Sequence, residues 1–471
     1  MTDPVRSIMA YQPNRENLGS YRLFASTDNN IYNITASTNA PAVSLALTGA
    51  ADNGRWTSTM MTNTAGAFLI ACTHIGGYKY YDGATWNTPT FGGGAGQISG
   101  LDPANMVFVT TWKHRTWVIE KDSTNAWYSA LDSVTGAFTK FELGPFVKHG
   151  GKLAFIATWT IDAGEGIDDF IVFAFENGDV LIYKGTDPTS ASTFALQGAW
   201  YIGAIPVGRR CFSSLGGDLL ILSEMGLQPL SYVTRGGQSL LRAASTDYLG
   251  KIQPRIADLV SQFGDASGWE LTLYPRENLF MVSKPTGGVD AYEQYALYTN
   301  TNTWTLFQNI PSICFCIANS DLYFGTEDGR VCLAFNGFFD EVLYGATTGN
   351  GIAGLIQPSY SYFGMLGKNK QFLMARPTFL ATDQPSVICD MLADYRYQAP
   401  SGSVPYVAPS ESLWDTAVWD TDTWGGQLNV YDDWLSVQAL GYTGSAFINT
   451  VCVGDTFLAS IDYMFEPGGP M

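Results

Sequence analysis

Leu322-Tyr323-Phe324-Gly325-Thr326-Glu327-Asp328-Gly329-Arg330-Val331-Cys332-Leu333 decides how the rest of this chain is read. An alternating apolar run meets an acidic, glycine-containing turn and continues into a second alternating run. This is the pattern of a β-hairpin, with Asp328-Gly329 supplying the positive φ that tight turns require. Looser copies occupy Tyr21 to Tyr32, Phe68 to Tyr81, Met106 to Ile119, Phe170 to Tyr183, Leu219 to Tyr232 and Leu279 to Tyr295. In the Phe170 copy, Asn177-Gly178 makes the turn. Units of about four short strands recurring every roughly 40 to 65 residues are the sequence form of β-propeller blades. The expectation is an all-β chain with a propeller of six or seven blades.

At 471 residues the chain exceeds one ordinary core, so a repeat architecture or several domains is expected. Aromatic residues make up 14% and charged residues only 14%, against a globular average of about 25% charged. Extended β surfaces that meet neighbours suit this balance. The formal net charge is −18, from 25 basic and 43 acidic residues. That excess repels nucleic acid and anionic membrane, which argues against a DNA-binding surface.

Residues 1–12 carry charge and proline without an apolar core, so no signal peptide is expected there. Apolar runs such as Leu219-Leu220-Ile221-Leu222 are too short to span a bilayer, so no membrane-spanning segment is expected. Seven cysteines lie scattered apart from Cys314 and Cys316, which share one strand face. They read as free thiols in a reducing compartment.

Helical periodicity is confined to Thr246–Phe263, where Pro254 either opens a helix or separates two short ones. Trp86 and Trp304 each follow a polar turn at a blade end, with Phe138 and Phe141 a weaker relative; these aromatics read as wedges between blades. The repeat spans 1–343. Residues 344–354, rich in glycine and small side chains, read as a linker, and 355–471 as a C-terminal antiparallel β-sandwich.

Chemistry-bearing patterns are sparse. Trp414, Trp419 and Trp424 recur every five residues, each of the first two beside an aspartate, and Trp434 follows. A period of five fits neither strand nor helix, so these tryptophans are candidate protein-interface anchors on an extended loop. A flat sugar platform is the weaker reading, because odd spacing in a strand turns successive indoles to opposite faces. His74, His114 and His149 lie far apart, with no HExxH and no paired CxxC, so no catalytic, cofactor-binding or metal residue is assigned. Gly92-Gly93-Gly94-Ala95-Gly96 lacks the Lys-Ser or Lys-Thr of a phosphate loop. Asp162, Glu165, Asp168 and Asp169 crowd one acidic loop without EF-hand spacing and read as solvated. Arg209-Arg210 reads as a surface pair before an anion clamp. Sialidase-type Ser-x-Asp-x-Gly-x-x-Trp boxes are missing, and a Kelch-like pattern occurs once, at Gly76-Gly77, Tyr80, Tyr81 and Trp86. The chain is not expected to be an enzyme.

Taken with Lys251-Ile252-Gln253-Pro254, Gly268-Trp269-Glu270-Leu271, Tyr274-Pro275-Arg276-Glu277-Asn278 and the terminal Ile461-Asp462-Tyr463 with Glu466, the hairpin at Leu322–Leu333 resembles the β-propeller tail nozzle, or packaged-DNA stabilisation, proteins of short-tailed bacteriophages. The resemblance implies a virion protein, assembled in the host cytoplasm. It implies a ring of copies, six in number, below portal and adaptor proteins. That ring would extend and close the DNA channel without sequence-specific DNA contact and would dock a tail needle or tail fibres. It brings no cofactor and no catalytic residues. The alternative from another class is a carbohydrate-binding or glycan-processing propeller of a phage receptor-binding module.

Overall fold

The computed structural model describes every residue except 2, 15–17, 49–53, 163–166, 191, 236–248, 286–291, 341–348, 398–427 and 469–471, and only the backbone of 18, 161, 162, 167 and 168. The chain divides into two compact units, Met1–Ala334 and Phe335–Met471.

The first unit is a β-propeller whose described residues form seven sheets, taken up in chain order. Five have four or more strands: those spanning residues 7–46, 57–87, 98–141, 153–201 and 270–308. The sheets at residues 212–229 and 314–333 have three. Six are antiparallel meanders in which successive strands pair, because short polar turns bring each strand back beside the last; in the third, Ile98–Ser99 instead pairs in parallel with Gly136–Phe141 at the outer edge. Most of the repeated hairpins form the second and third strands of a blade, as Leu322–Leu333 does. The Leu219 copy differs at its end, where Leu230–Thr234 turns into a short helix carrying Tyr232. The longer helix runs Gln253–Phe263 and starts with Pro254 in its first turn, where a missing N–H costs nothing. Ile256, Leu259 and Val260 form its buried stripe.

The cores lie between neighbouring sheets. Phe24 and Trp56 of blade 1 and its exit pack on Leu69, Tyr81 and Trp86 of blade 2. Tyr78 of blade 2 meets Phe138 of blade 3 at 6.2 Å, ring centre to ring centre. Trp117 of blade 3 packs on Phe173 and Phe194 of blade 4. Trp304 packs on the cluster shared by blades 3 to 6. Burying one such indole is worth up to about 4–6 kcal/mol by its area. The ring closes where Ser7–Tyr11 lies against Cys314–Ala318, with Val5, Ile8 and Leu23 packed on Cys314 and Ala318. The Val5 amide donates to the Thr326 carbonyl at 3.0 Å across the seam.

The second unit is an antiparallel sandwich. One sheet has the order Phe339–Asp340, Asn350–Ile356, Gly444–Cys452, Ser386–Ala393. The other is built on Lys370–Ala381, which pairs along one edge with Asn429–Tyr431 and Leu435–Gly441 and along the other with Thr456–Pro467. Phe372, Ala375, Phe379 and Val437 from one sheet meet Cys389, Met391, Ala446 and Ile448 from the other. The boundary expected from sequence is shifted. The units part at Ala334/Phe335, and Asn350–Gly354, read as linker, begins a strand paired to Gly444–Cys452. Glycine content hid it, since Gly351 and Gly354 sit inside that strand.

Candidate functional sites

The turn residues singled out from sequence occupy hairpin connections. Gly178 closes the loop between Phe175 and Asp179 at φ +92°, and the Asn177 side chain donates to the His149 carbonyl at 2.9 Å. Gly329 takes φ +81° in a five-residue connection, Thr326 to Arg330, wider than the tight turn expected. The Thr326 hydroxyl accounts for the extra width: it accepts the Arg330 amide at 3.0 Å and bonds the Asp328 carboxylate. Asp328 in turn accepts from Arg330 Nε at 2.7 Å, which holds its carboxyl below the ordinary 3.8.

Of the four tryptophans, Trp434 is exposed, and Arg376 lies over its ring at 5.0 Å. Trp414, Trp419 and Trp424 lie outside the described residues. So does Glu165 of the acidic loop; Asp169 there accepts from Thr160 Oγ1 at 3.0 Å. The histidines remain apart, His114 bonded to Asp132 at 3.1 Å and His149 to the buried Asp179 at 2.7 Å. Among the described residues no three His, Cys, Asp or Glu side chains group to hold a metal.

Arg209-Arg210 is a correction to the sequence reading. Neither is a surface residue. Arg209 donates to the Ala154 carbonyl at 2.6 Å. Arg210 turns the other way and links blades 1, 5, 6 and 7 and the segment between blades 1 and 2, near the start of their first strands. Its Nη2 donates to Ser7 Oγ and to the Trp56 carbonyl, both at 2.6 Å, and its Nη1 faces Glu270 at 3.4 Å. Glu270 also accepts the Phe315 amide at 3.2 Å. Ser7 Oγ donates onward to the Gly54 carbonyl at 2.6 Å. Burial pushes the Glu270 carboxyl above its ordinary value, and Arg210 pulls part of that back. Sequence reasoning missed this network because its members are up to 308 positions apart, and only the charge doublet marked it.

Beside the network lies a cavity of about 50 Å³ lined by Arg6, Arg55, Glu270, Ser283 and Lys284 among others. It has room for a few waters and nothing as large as a sugar. Lys284 is matched by Glu293 at 3.6 Å and Arg6 by Asp28 at 3.4 Å. A wider cleft of about 430 Å³ opens between the Leu215-Gly216 turn and blade 6. Leu273, Pro275 and Leu297 line it with Asn278 and Asn302, and no charged or aromatic side chain does. It offers neither stacking to a sugar nor charge to a phosphate.

No family model matches the chain, and no curated protein does. Solved structures with a similar arrangement include two of BBS1N, a β-propeller, in complex with ARL6DN, one soaked with mercury and one with lead. The first has a TM-score of 0.29 at 10% identity, covering 70% of this chain and 77% of that one. The second has 0.31 at 10%, covering 48% and 64%. At that level the propeller assignment stands on the sheets described above.

Proposed function

We propose that this chain is a structural component of a short-tailed bacteriophage tail, present in the virion as a ring of six copies below portal and adaptor. The ring extends and closes the DNA channel and docks the distal tail parts. The observation that carries this reading is the net charge of −18 on a chain with only 25 basic residues. A conduit for DNA must not hold it, and an anionic wall makes no phosphate-neutralising contacts and releases no counterions. In this reading DNA runs between copies. Low charge density suits subunit contacts, whose cores are depleted of charge.

The sugar-binding alternative gains nothing from Trp434, since the Arg376 guanidinium already lies over that indole. The test is assembly. Purified chain mixed with adaptor-capped portal should co-sediment as a ring, while the chain alone should leave duplex DNA unbound even at low salt. Tight duplex binding that weakens steeply with salt would overturn the reading.

A further inference from the structure

Among the described residues, the sheet built on Lys370–Ala381 buries one face and leaves the other open. Register assigns the open side. Met374 stands opposite Met464, Arg376 opposite Asp462, Leu380 opposite both Phe457 and Val430, and Gln371 opposite both Leu440 and Glu466. The alternate residues Leu458, Ile461, Tyr463 and Phe465 point into the core with Phe372 and Phe379. On the open side Leu440 is 65% exposed, Val430 61% and Phe457 55%. Single exposed apolar residues need no explanation, but a set sharing one sheet face marks an interaction surface.

At its centre Arg376 is held rigidly. It donates to Asp462 Oδ2 from Nε at 3.1 Å and from Nη2 at 2.7 Å, faces Asp432 at 3.5 Å and stacks on Trp434. An ordered Arg–Trp pair within apolar surroundings is the composition of binding hot spots. The outer edge of Thr456–Pro467 carries no strand among the described residues.

Charge selects the partner. Arg376 is the one basic side chain among these residues and is already shared by Asp432 and Asp462; Asp433 and Glu466 are exposed nearby. The same face of a second copy would bring the same carboxylates against these, and nucleic acid and anionic lipid likewise bring negative charge. We infer that this face docks a different protein, one presenting an apolar surface bordered by lysine or arginine. The inference does not depend on the ring.

The test titrates the full chain with two labelled peptides of equal length, one alternating Lys and Leu, the other Glu and Leu, read by fluorescence anisotropy. The basic peptide binds and the acidic one does not. The double variants Leu440→Ser/Phe457→Ser and Asp432→Asn/Glu466→Gln each weaken binding about tenfold or more, a change the assay resolves readily. Glu142→Gln/Asp132→Asn, on the propeller, leaves it unchanged. All variants sit on the surface, and matching thermal unfolding shows that they fold. Equal binding of both peptides, or face variants that bind as the unmodified chain does, would overturn the proposal. So would self-association of the chain that is abolished by Leu440→Ser/Phe457→Ser, since the occupant would then be a second copy.

Discussion

The Arg210 guanidinium and the Glu270 carboxylate face each other at 3.4 Å, joining the segment that enters blade 5 to the first strand of blade 6. Their backbones also form an isolated parallel bridge. The pair is tied outward to Ser7, Trp56 and Phe315, so one ion pair couples the start of the ring to its end.

Removing Arg210 strands a carboxylate in a desolvated place. Arg210→Ala should cost about 3 kcal/mol or more at neutral pH, because an uncompensated buried charge is far worse than none. The loss should depend on pH in a defined direction. A carboxyl whose folded pKa lies above its ordinary 4.5 is destabilising when ionised, so its penalty is absent below that value and grows as pH rises through the folded pKa. Without Arg210 the window widens upward. Urea unfolding at pH 5 and pH 8 checks this, and Arg210→Met/Glu270→Leu should lose less than Arg210→Ala at pH 8.

Gly329 supports the seam. A Cβ there would run into the Met1 carbonyl oxygen and approach that of Asp3 at 2.9 Å, with φ at +81°. Gly216 has φ +60° and open space around it. Gly329→Ala should therefore cost roughly 2–3 kcal/mol and Gly216→Ala about 1 kcal/mol, the difference being contact and not backbone strain. Faster hydrogen exchange at the Val5 amide in Gly329→Ala alone would show that the seam is what yields.

Lys370 is fully buried and is held by three backbone carbonyls, those of Met365, Lys368 and Tyr442, at 2.8 to 3.0 Å. Lys370→Met keeps the stem but leaves three carbonyls without that donor. A loss of roughly 2–4 kcal/mol is expected, confined to the second unit. Exchange measured by mass spectrometry should rise across Lys370–Ala381 and Leu435–Gly441 and stay unchanged in the propeller.

Asp328 gives the opposite pH sign to Glu270. Arg330 and Thr326 hydrogen bonds depress its pKa, so its contribution is present above the ordinary 3.8 and is lost as pH falls through the folded value. Asp328→Asn should remove that acid-sensitive part, seen as a flatter stability profile below pH 4.

What was legible from sequence was local. Alternation with Asp-Gly or Asn-Gly exposed the middle hairpins, since turn and strand chemistry act over a dozen residues. Pro254 marked either a helix start or a break between two short helices, and it lies in the first turn of Gln253–Phe263. The strand Leu435–Gly441 carries a legible alternation, Leu435, Val437 and Ala439 against Ser436 and Gln438. The seam between Ser7–Tyr11 and Cys314–Ala318 was not legible, because pairing across three hundred residues leaves no periodic trace. Nor was the open face around Arg376, which exists only once Leu440, Val430 and Phe457 are brought beside one strand.

The claim on which the functional account turns is that copies of this chain surround a DNA path. Single-particle electron microscopy of the chain bound to adaptor-capped portal tests it most directly. The account predicts a six-fold ring, coaxial with the portal, whose lumen is lined by Asp and Glu. A solitary propeller on the particle's periphery, or a ring whose lumen is lined by Lys and Arg, would contradict it.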